Sequence, residues 1–284
     1  MKHNKVVVVV GLARGGTNIT WNILQSHPQV ISTILELSQT IANSTNPLIC
    51  NLTAVTLGSP IFLLPPLQQW IGAWLDNNFF NEKLRVLDDA YAKQKYEDVF
   101  YTREEVENGV LCLKAANREM YLLDLLYKMY GDQLYIVNVV RNGYALCDSW
   151  MRRGHEAGKN GRLYHHYTSY MLELANRFPN VRCWKFEAVL ADPFAAAEEI
   201  YSFAQLEPTQ LDKLRLKTKR VINPKGEFRE SYGGEGAKHW FSRETIFDLI
   251  EPDQSNIQAN LLSVADRKAF EAHAKVVLDK LGYN

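Results

Sequence analysis

The residues of this chain equipped for chemistry stand just past short apolar runs. Arg14 follows Val6 to Val10, inside the stretch Gly11-Leu12-Ala13-Arg14-Gly15-Gly16-Thr17-Asn18. Glu36 follows Val30 to Leu35, and Lys114 follows Gly109 to Leu113. Arg141 follows Leu134 to Val140, and Glu187 follows Val181 to Phe186. Ser149 lies eight residues beyond Arg141, within its reach if the chain turns into a helix soon after Gly143. Fixed cations, a hydroxyl and a glycine-rich turn together suit recognition of a negatively charged ligand. Glu36 sits where ligands bind in open α/β sheets, beyond a strand's carboxyl end, but a carboxylate there also suits the start of the next helix.

The glycine-rich stretch shows how an anion would be held. Val6 to Val10 is a β-branched run, too short to cross a membrane and suited to a central strand. Beyond the glycines, Ile19, Trp21, Ile23 and Leu24 are spaced like the buried side of a helix ending near Ser26-His27-Pro28. A strand, a glycine turn and a helix start let backbone N–H groups point at a charge. Gly11 and Gly16 have Walker A spacing, but Thr17 stands where that pattern has lysine, and the positive charge has moved back to Arg14. Such a loop can cradle a phosphate yet lacks the lysine that reaches the β- and γ-phosphates of ATP.

The elements that must position these residues follow a regular rhythm. Strands are expected at Val6 to Val10, Val30 to Leu35, Gly109 to Leu113, Leu134 to Val140 and Val181 to Phe186. Helices are expected from Arg118 to Tyr130, with Gly131 as the stop, from Tyr164 to about Arg177, and after Asp192-Pro193. Charges therefore gather at strand ends on one rim of an α/β fold with a central, mostly parallel sheet. Between them, about 43–107 reads as a cap or insertion in a single domain spanning 1–284. Its Leu57 to Leu67 is apolar and broken by prolines, and Trp70, Ile71, Trp74 and Leu75 return to helical spacing. His165 and His166 are adjacent, so they face different ways on a helix and make a poor metal pair.

Composition narrows the options. With 284 residues and 46% hydrophobic content the chain can bury a full core. Lysine plus arginine equals aspartate plus glutamate, 32 of each, so no global field draws it to nucleic acid. The cysteines at 50, 112, 147 and 183 lack metal-ligand spacing, and Cys112 reads as core. No metal site and no transmembrane segment is expected, and Lys2 and Lys5 precede too short an apolar run for a secretory signal. A cytoplasmic location is the expectation.

Several segments in order resemble the sulfotransferase superfamily, which transfers sulfuryl groups from 3′-phosphoadenosine-5′-phosphosulfate (PAPS). Arg14, Gly16 and Thr17 match the family's 5′-phosphosulfate loop, Pro-Lys/Arg-Ser-Gly-Thr, with Ala13 and Gly15 replacing its proline and serine. Val139-Val140-Arg141-Asn142-Gly143, with Ser149, resembles the 3′-phosphate site, commonly written Arg-Asp-Pro. Lys114-Ala115-Ala116-Asn117 keeps only the lysine of a Lys-Thr-Pro segment. Lys185-Phe186-Glu187 with Asp192-Pro193, and Gly236 to Trp240, resemble two later blocks.

The resemblance implies a P-loop-containing three-layer fold and in-line attack of a hydroxyl or amine on sulfur, with adenosine 3′,5′-bisphosphate leaving. Arg14, Gly15, Gly16, Thr17 and Asn18 would bind the 5′-phosphosulfate, and Arg141 and Ser149 the 3′-phosphate. Phe186 would pack near the adenine, and Lys238 would help a late loop close over the donor. Ala116 occupies the place of one branch's catalytic histidine, so the base would be Glu36, as in the glutamate-using branches. Lys114 would contact the acceptor or steady the sulfuryl group, and His155, His165 and His166 are reserve bases. The acceptor would be a small molecule, a carbohydrate or a lipid. Two rivals are an atypical P-loop kinase and a non-catalytic nucleotide-binding relative.

Overall fold

A computed structural model of the chain describes residues 1–33, 35–42, 64–87, 101–207, 211–217, 221–222, 228–229 and 238–283. The chain starts with β1 (Val6–Gly11), α1 (Thr17–Leu24), β2 (Val30–Ser32) and α2 (Leu37–Ala42). After α3 (Pro65–Leu84) and α4 (Arg103–Asn108) come β3 (Val110–Ala116), a 3₁₀ turn at Asn117–Leu122 and α5 (Leu123–Tyr130). Then follow β4 (Leu134–Val140), α6 (Gly143–Met151), α7 (Ala157–Arg177), β5 (Val181–Lys185), α8 (Phe186–Ala191) and α9 (Pro193–Phe203). The chain closes with β6 (Lys213–Lys217) paired to β7 (Lys238–Ser242), then α10 (Gln254–Ala259) and α11 (Val264–Leu281).

The first five strands form one sheet in the order β2-β3-β1-β4-β5, and every pairing in it is parallel. A central parallel strand is covered on both faces, which is why β1 tolerates an unbroken valine run. Val6, Val8 and Val10 face a core with α5, α6, α7 and α11, while Val7 and Val9 face a second core with α1, α8, α9 and β6. This is the three-layer α/β arrangement expected. Gly11 lies beside Ala116 of β3 and Val139 of β4, so the chain ends that carry Arg14, Lys114 and Arg141 emerge side by side.

Local chemistry explains several boundaries. Asp192 caps α9, its carboxylate accepting from the N–H groups of Phe194 (3.1 Å) and Ala195 (2.9 Å), with Pro193 at the first helical position. Gly131, at φ 53°, ends α5 as expected. β2 is shorter than the apolar run suggests: it stops at Ser32, and the hydroxyl of Thr33 donates to the carbonyl of Leu35 (2.8 Å). α7 begins before Tyr164, at Ala157, because packing against α11 overrides the low helix propensity of its glycines. Of the cap region, 43–63 and 88–100 lie outside the described residues. No helix among the described residues is long and apolar enough to cross a membrane.

At the opposite end of the sheet, a buried polar cluster ties the N-terminus to α3. The buried carboxylate of Asp76 accepts from the Lys2 N–H (2.8 Å) and the Tyr130 hydroxyl (2.8 Å). Lys83, also buried, donates to the carbonyls of Glu107 (3.1 Å) and Gly109 (2.6 Å). His3 lies between Phe80 and Tyr130, with both ring nitrogens buried and without a hydrogen-bond partner among the described residues. Burial, reinforced by Lys83, lowers its pKa to about 4, although Asp76 pulls the other way. The unfolded chain then binds this proton more readily, so the contribution of His3 is complete above pH ~6.5 and is lost as pH falls toward 4. The shift amounts to about 3 kcal/mol. Urea unfolding midpoints followed from pH 7 to 4 are expected to fall less steeply for His3→Phe than for the wild type; equal slopes would contradict this.

Candidate functional site

The loop after β1 is fixed before any ligand arrives. The Ala13 N–H donates to Asn117 Oδ1 (3.0 Å), and the Ala13 carbonyl accepts from the Trp150 indole (3.0 Å). The Arg14 carbonyl accepts from Arg141 Nη1 (2.8 Å), and the Gly15 N–H closes a turn onto the Leu12 carbonyl (2.8 Å). Arg14 is left in the left-handed region at φ 72°, and Gly16 at φ 98° caps α1. Gly16 has two reasons to be glycine. Its backbone angle disfavours a side chain, and an added Cβ would lie 2.1 Å from the Phe186 ring.

Arg141, just past β4, is the most constrained cation at this rim. Its guanidinium is buried, with Nε donating to Ser255 Oγ (3.2 Å), Nη2 donating to Gln258 Oε1, and the Phe186 ring 5.2 Å away. All these partners are neutral, and among the described residues no carboxylate forms an ion pair with it. Burial pushes its pKa down to about 10, with Glu187 acting against the shift and Arg14 adding to it, so it stays charged at neutral pH. Next to it, the Asn142 side chain caps α6 by accepting from the Tyr144 N–H (3.0 Å). An added Cβ on Gly143 would meet Leu278, Phe270 and Tyr164 within 3.0 Å. The departure from Arg-Asp-Pro thus keeps a helix cap and admits α11 and α7 at close range.

One cavity of about 300 Å³ gathers most of the expected residues: Arg14, Gly16, Thr17, Asn18, Glu36, Lys114, Arg141, Ser149 and Phe186. Arg14 Nε donates to Ser149 Oγ (3.2 Å), so the serine meets the loop arginine while Arg141 holds the loop backbone. Lys114 is buried; its ammonium donates to Asn18 Oδ1 and to Glu36 Oε1 (2.5 Å), fixing the half-exposed carboxylate at the cavity wall. Burial pulls the Lys114 pKa down, and Glu36 partly offsets this. Gly15 is buried behind the loop and does not line the cavity. Lys238 lies outside it on β7, its ammonium donating to Gln25 Oε1. The late loop lies largely outside the described residues, at 218–220, 223–227 and 230–237. None of His155, His165 and His166 lines this cavity, and Glu187 is occupied by the Asn142 N–H (3.0 Å) and the Tyr283 hydroxyl (2.6 Å).

Sequence reasoning passed over Lys217, Glu251, Gln254 and Gln258, which also line the cavity, and Ser255, which holds Arg141. They come from the end of β6 and from around α10, far along the chain and without a glycine signature. Among the described residues no cluster of histidine, cysteine and carboxylate side chains could hold a metal.

A glycine turn, a helix start and buried cations at the carboxyl ends of parallel strands define an α/β fold of the phosphate-loop type. The sulfotransferase family's sequence profile matches residues 7–210, and the chain belongs to that family. No curated protein matches it. Among solved structures, it is similar to the sulfotransferase domain of the olefin synthase of Synechococcus PCC 7002. That similarity has a TM-score of 0.51 at 13% identity, over 97% of this chain and 94% of the other. A sulfotransferase domain from the curacin biosynthetic pathway gives 0.44 at 9%, over 73% and 76% of the two chains. A sulfotransferase of Mycobacterium tuberculosis H37Rv gives 0.42 at 13%, over 73% and 69%.

The Gly16–Phe186 contact can be tested by a double-mutant cycle. Gly16→Ala is expected to lower unfolding stability by more than about 2 kcal/mol, from left-handed strain plus the ring clash. Phe186→Ala removes the clash, so the double variant should be less destabilised than the sum of the two, by about 1–3 kcal/mol in urea titrations. Strict additivity would contradict the contact.

Proposed function

We propose that the protein transfers a sulfuryl group from PAPS to a hydroxyl or amine of a small-molecule, carbohydrate or lipid acceptor. The observation that carries this reading is Arg141, a cation buried beside a cavity, whose hydrogen-bond partners among the described residues are all neutral. A buried charge is costly unless something opposite meets it, and a phosphate would do so. Arg141 and Ser149 take the 3′-phosphate, the group that distinguishes this donor from ATP. Gly16, Thr17 and Asn18 present N–H and side-chain donors to the 5′-phosphosulfate, Gly15 only shapes the turn behind them through its bond to the Leu12 carbonyl, and Phe186 offers an apolar face to the nucleoside. Lys238 stays outside this donor site, with its ammonium on Gln25.

The acceptor oxygen attacks sulfur, its bond to sulfur forms as the bridging S–O bond breaks, and adenosine 3′,5′-bisphosphate leaves with that electron pair. Glu36 takes the acceptor proton. Arg14 and Lys114 face the negative charge that develops on the sulfuryl and bridging oxygens. The hydrogen bond from Lys114 orients the Glu36 carboxylate and keeps Asn18 on the same cation.

Calorimetric titration with adenosine 3′,5′-bisphosphate, AMP and ATP tests the donor assignment. Wild type is expected to prefer the bisphosphate, and Arg141→Ala to lose about tenfold or more in affinity for it alone. Ser149→Ala, which disturbs the fold less, should show a smaller loss of the same kind. Equal binding of AMP, or preference for ATP with magnesium, would overturn the assignment. Binding of none of the three would favour the non-catalytic relative.

A second experiment isolates the base. Glu36→Gln keeps a hydrogen-bonding group beside Lys114 but cannot take a proton. Turnover is expected to fall by about 10²- to 10⁴-fold, with bisphosphate affinity nearly unchanged. Full turnover in that variant would assign the base elsewhere.

A further inference from the structure

A second cavity, of about 330 Å³, opens on the side of the loop toward α6 and α7, and Ala13 and Arg14 line both cavities. The end of β3 is shared as well: Lys114 and Ala116 face the first cavity, Asn117 the second. Sulfuryl transfer needs donor and acceptor on opposite sides of one sulfur atom. Two cavities that share Ala13 and Arg14 offer two adjoining places for the two ligands.

The second cavity has its own chemistry. Arg14, Arg153 and His155 bring cationic or ionisable nitrogen to it, and among the described residues no carboxylate lines it. The side chains of Arg153 and His155 have no hydrogen-bond or ion-pair partner among the described residues. The nearby carboxylate of Asp148 is already taken by Arg152 Nε (3.0 Å) and Gln258 Nε2 (3.3 Å). Partial burial and the adjacent Arg153 both push the Arg14 pKa down, with no acid offsetting them. The site is therefore charged in one sense only. An anion there would relieve the repulsion between the two guanidinium groups.

The remaining walls are flat and apolar. The Trp150 indole is pinned by its bond to the Ala13 carbonyl, and the His155 ring lies nearly parallel to it, at 27° with centroids 6.5 Å apart. Leu163 and Tyr167 complete this side. Such surfaces suit the face of a sugar or aryl ring. Building on the sulfuryl-transfer reading, we propose that the second cavity selects an acceptor ring bearing a carboxylate, phosphate or sulfate, with Arg153 and His155 holding that group while the acceptor hydroxyl reaches past Arg14 and the end of β3 toward Glu36 in the first cavity. A second anion close to the sulfuryl group would slow transfer by repulsion. Arg153, exposed at the rim of the cavity, supplies a counter-charge and His155 a hydrogen-bonding nitrogen, neither of which a neutral ring would use.

Matched pairs test the proposal on the full chain. The probes are 4-hydroxyphenylacetate beside its amide, and methyl glucuronide beside methyl glucoside. Each is titrated calorimetrically onto wild type and Arg153→Gln, with and without adenosine 3′,5′-bisphosphate. Wild type is expected to bind the anionic member of at least one pair about tenfold or more tightly than its neutral partner. Arg153→Gln should erase that preference while leaving bisphosphate affinity within about twofold. Three results would overturn the proposal: no preference in either pair, a preference that survives Arg153→Gln, or an equal loss of bisphosphate affinity in that variant. Bisphosphate binding to wild type reads the donor assignment and the pair preference reads this one, so the two fail separately.

Discussion

The buried guanidinium of Arg141 is the constraint around which this rim of the molecule is arranged. Taking a charge out of water costs several kcal/mol even after relaxation. Here the charge meets a loop carbonyl, a serine hydroxyl, an amide oxygen and the face of an aromatic ring, all neutral. These partners come from three separate parts of the chain, so satisfying one side chain brings together the loop after β1, α8 and α10. The Tyr164 hydroxyl on α7 adds a bond to the Arg141 carbonyl (3.0 Å). Hydrogen bonds offset the desolvation but leave the charge without a counter-charge at contact distance. Under the sulfuryl-transfer reading, that residual demand is what the 3′-phosphate meets.

Holding the loop this way has a conformational cost. Arg14 and Asn117 are non-glycine residues at positive φ, a region that disfavours L side chains by about 1–2 kcal/mol each. The strain persists because the segment is over-determined. Asn117 uses its unusual backbone to aim its amide oxygen at the Ala13 N–H, while Trp150 and Arg141 secure the next two carbonyls. A loop built so rigidly presents its donors without reorganising when charge appears, which is the property an anion-stabilising site needs.

The strands were the legible part of the fold, since an all-apolar run ending in a charge is what a parallel strand with a functional rim looks like. β4 runs from Leu134 to Val140, as the residue types suggest, and β1 adds only Gly11. The helices were less so. α7 contains glycines that argue against a helix locally, and its start depends on packing against α11. Residues after the glycine-rich loop and at strand ends could be grouped because each lies next to a recognisable element. Ser255 and Gln258 could not, because nothing local distinguishes a neutral polar residue on a six-residue helix from its exposed neighbours, and Lys217 could not, because it is one of several basic residues around a short strand. Their meaning is tertiary: they matter only because Arg141 and Lys114 end up facing them. Lys238 illustrates the converse, a basic residue in a suggestive segment whose ammonium the fold directs to Gln25.

Charge is distributed unevenly across the two cavities. The first holds Arg14, Lys114, Arg141 and Lys217 together with the carboxylates of Glu36 and Glu251. The second holds Arg14, Arg153 and His155, with no carboxylate among the described residues. Under the sulfuryl-transfer reading a carboxylate is useful only where a proton must be taken, and Glu36 stands there with Lys114 limiting its reach. Placed in the second cavity, a carboxylate would neutralise Arg153 and remove the reason for an anionic acceptor to enter. Arg14 belongs to both sites, and its left-handed backbone places it between them. An in-line transfer concentrates its charge midway between donor and acceptor, so the residue that both cavities share is the one best placed to meet it.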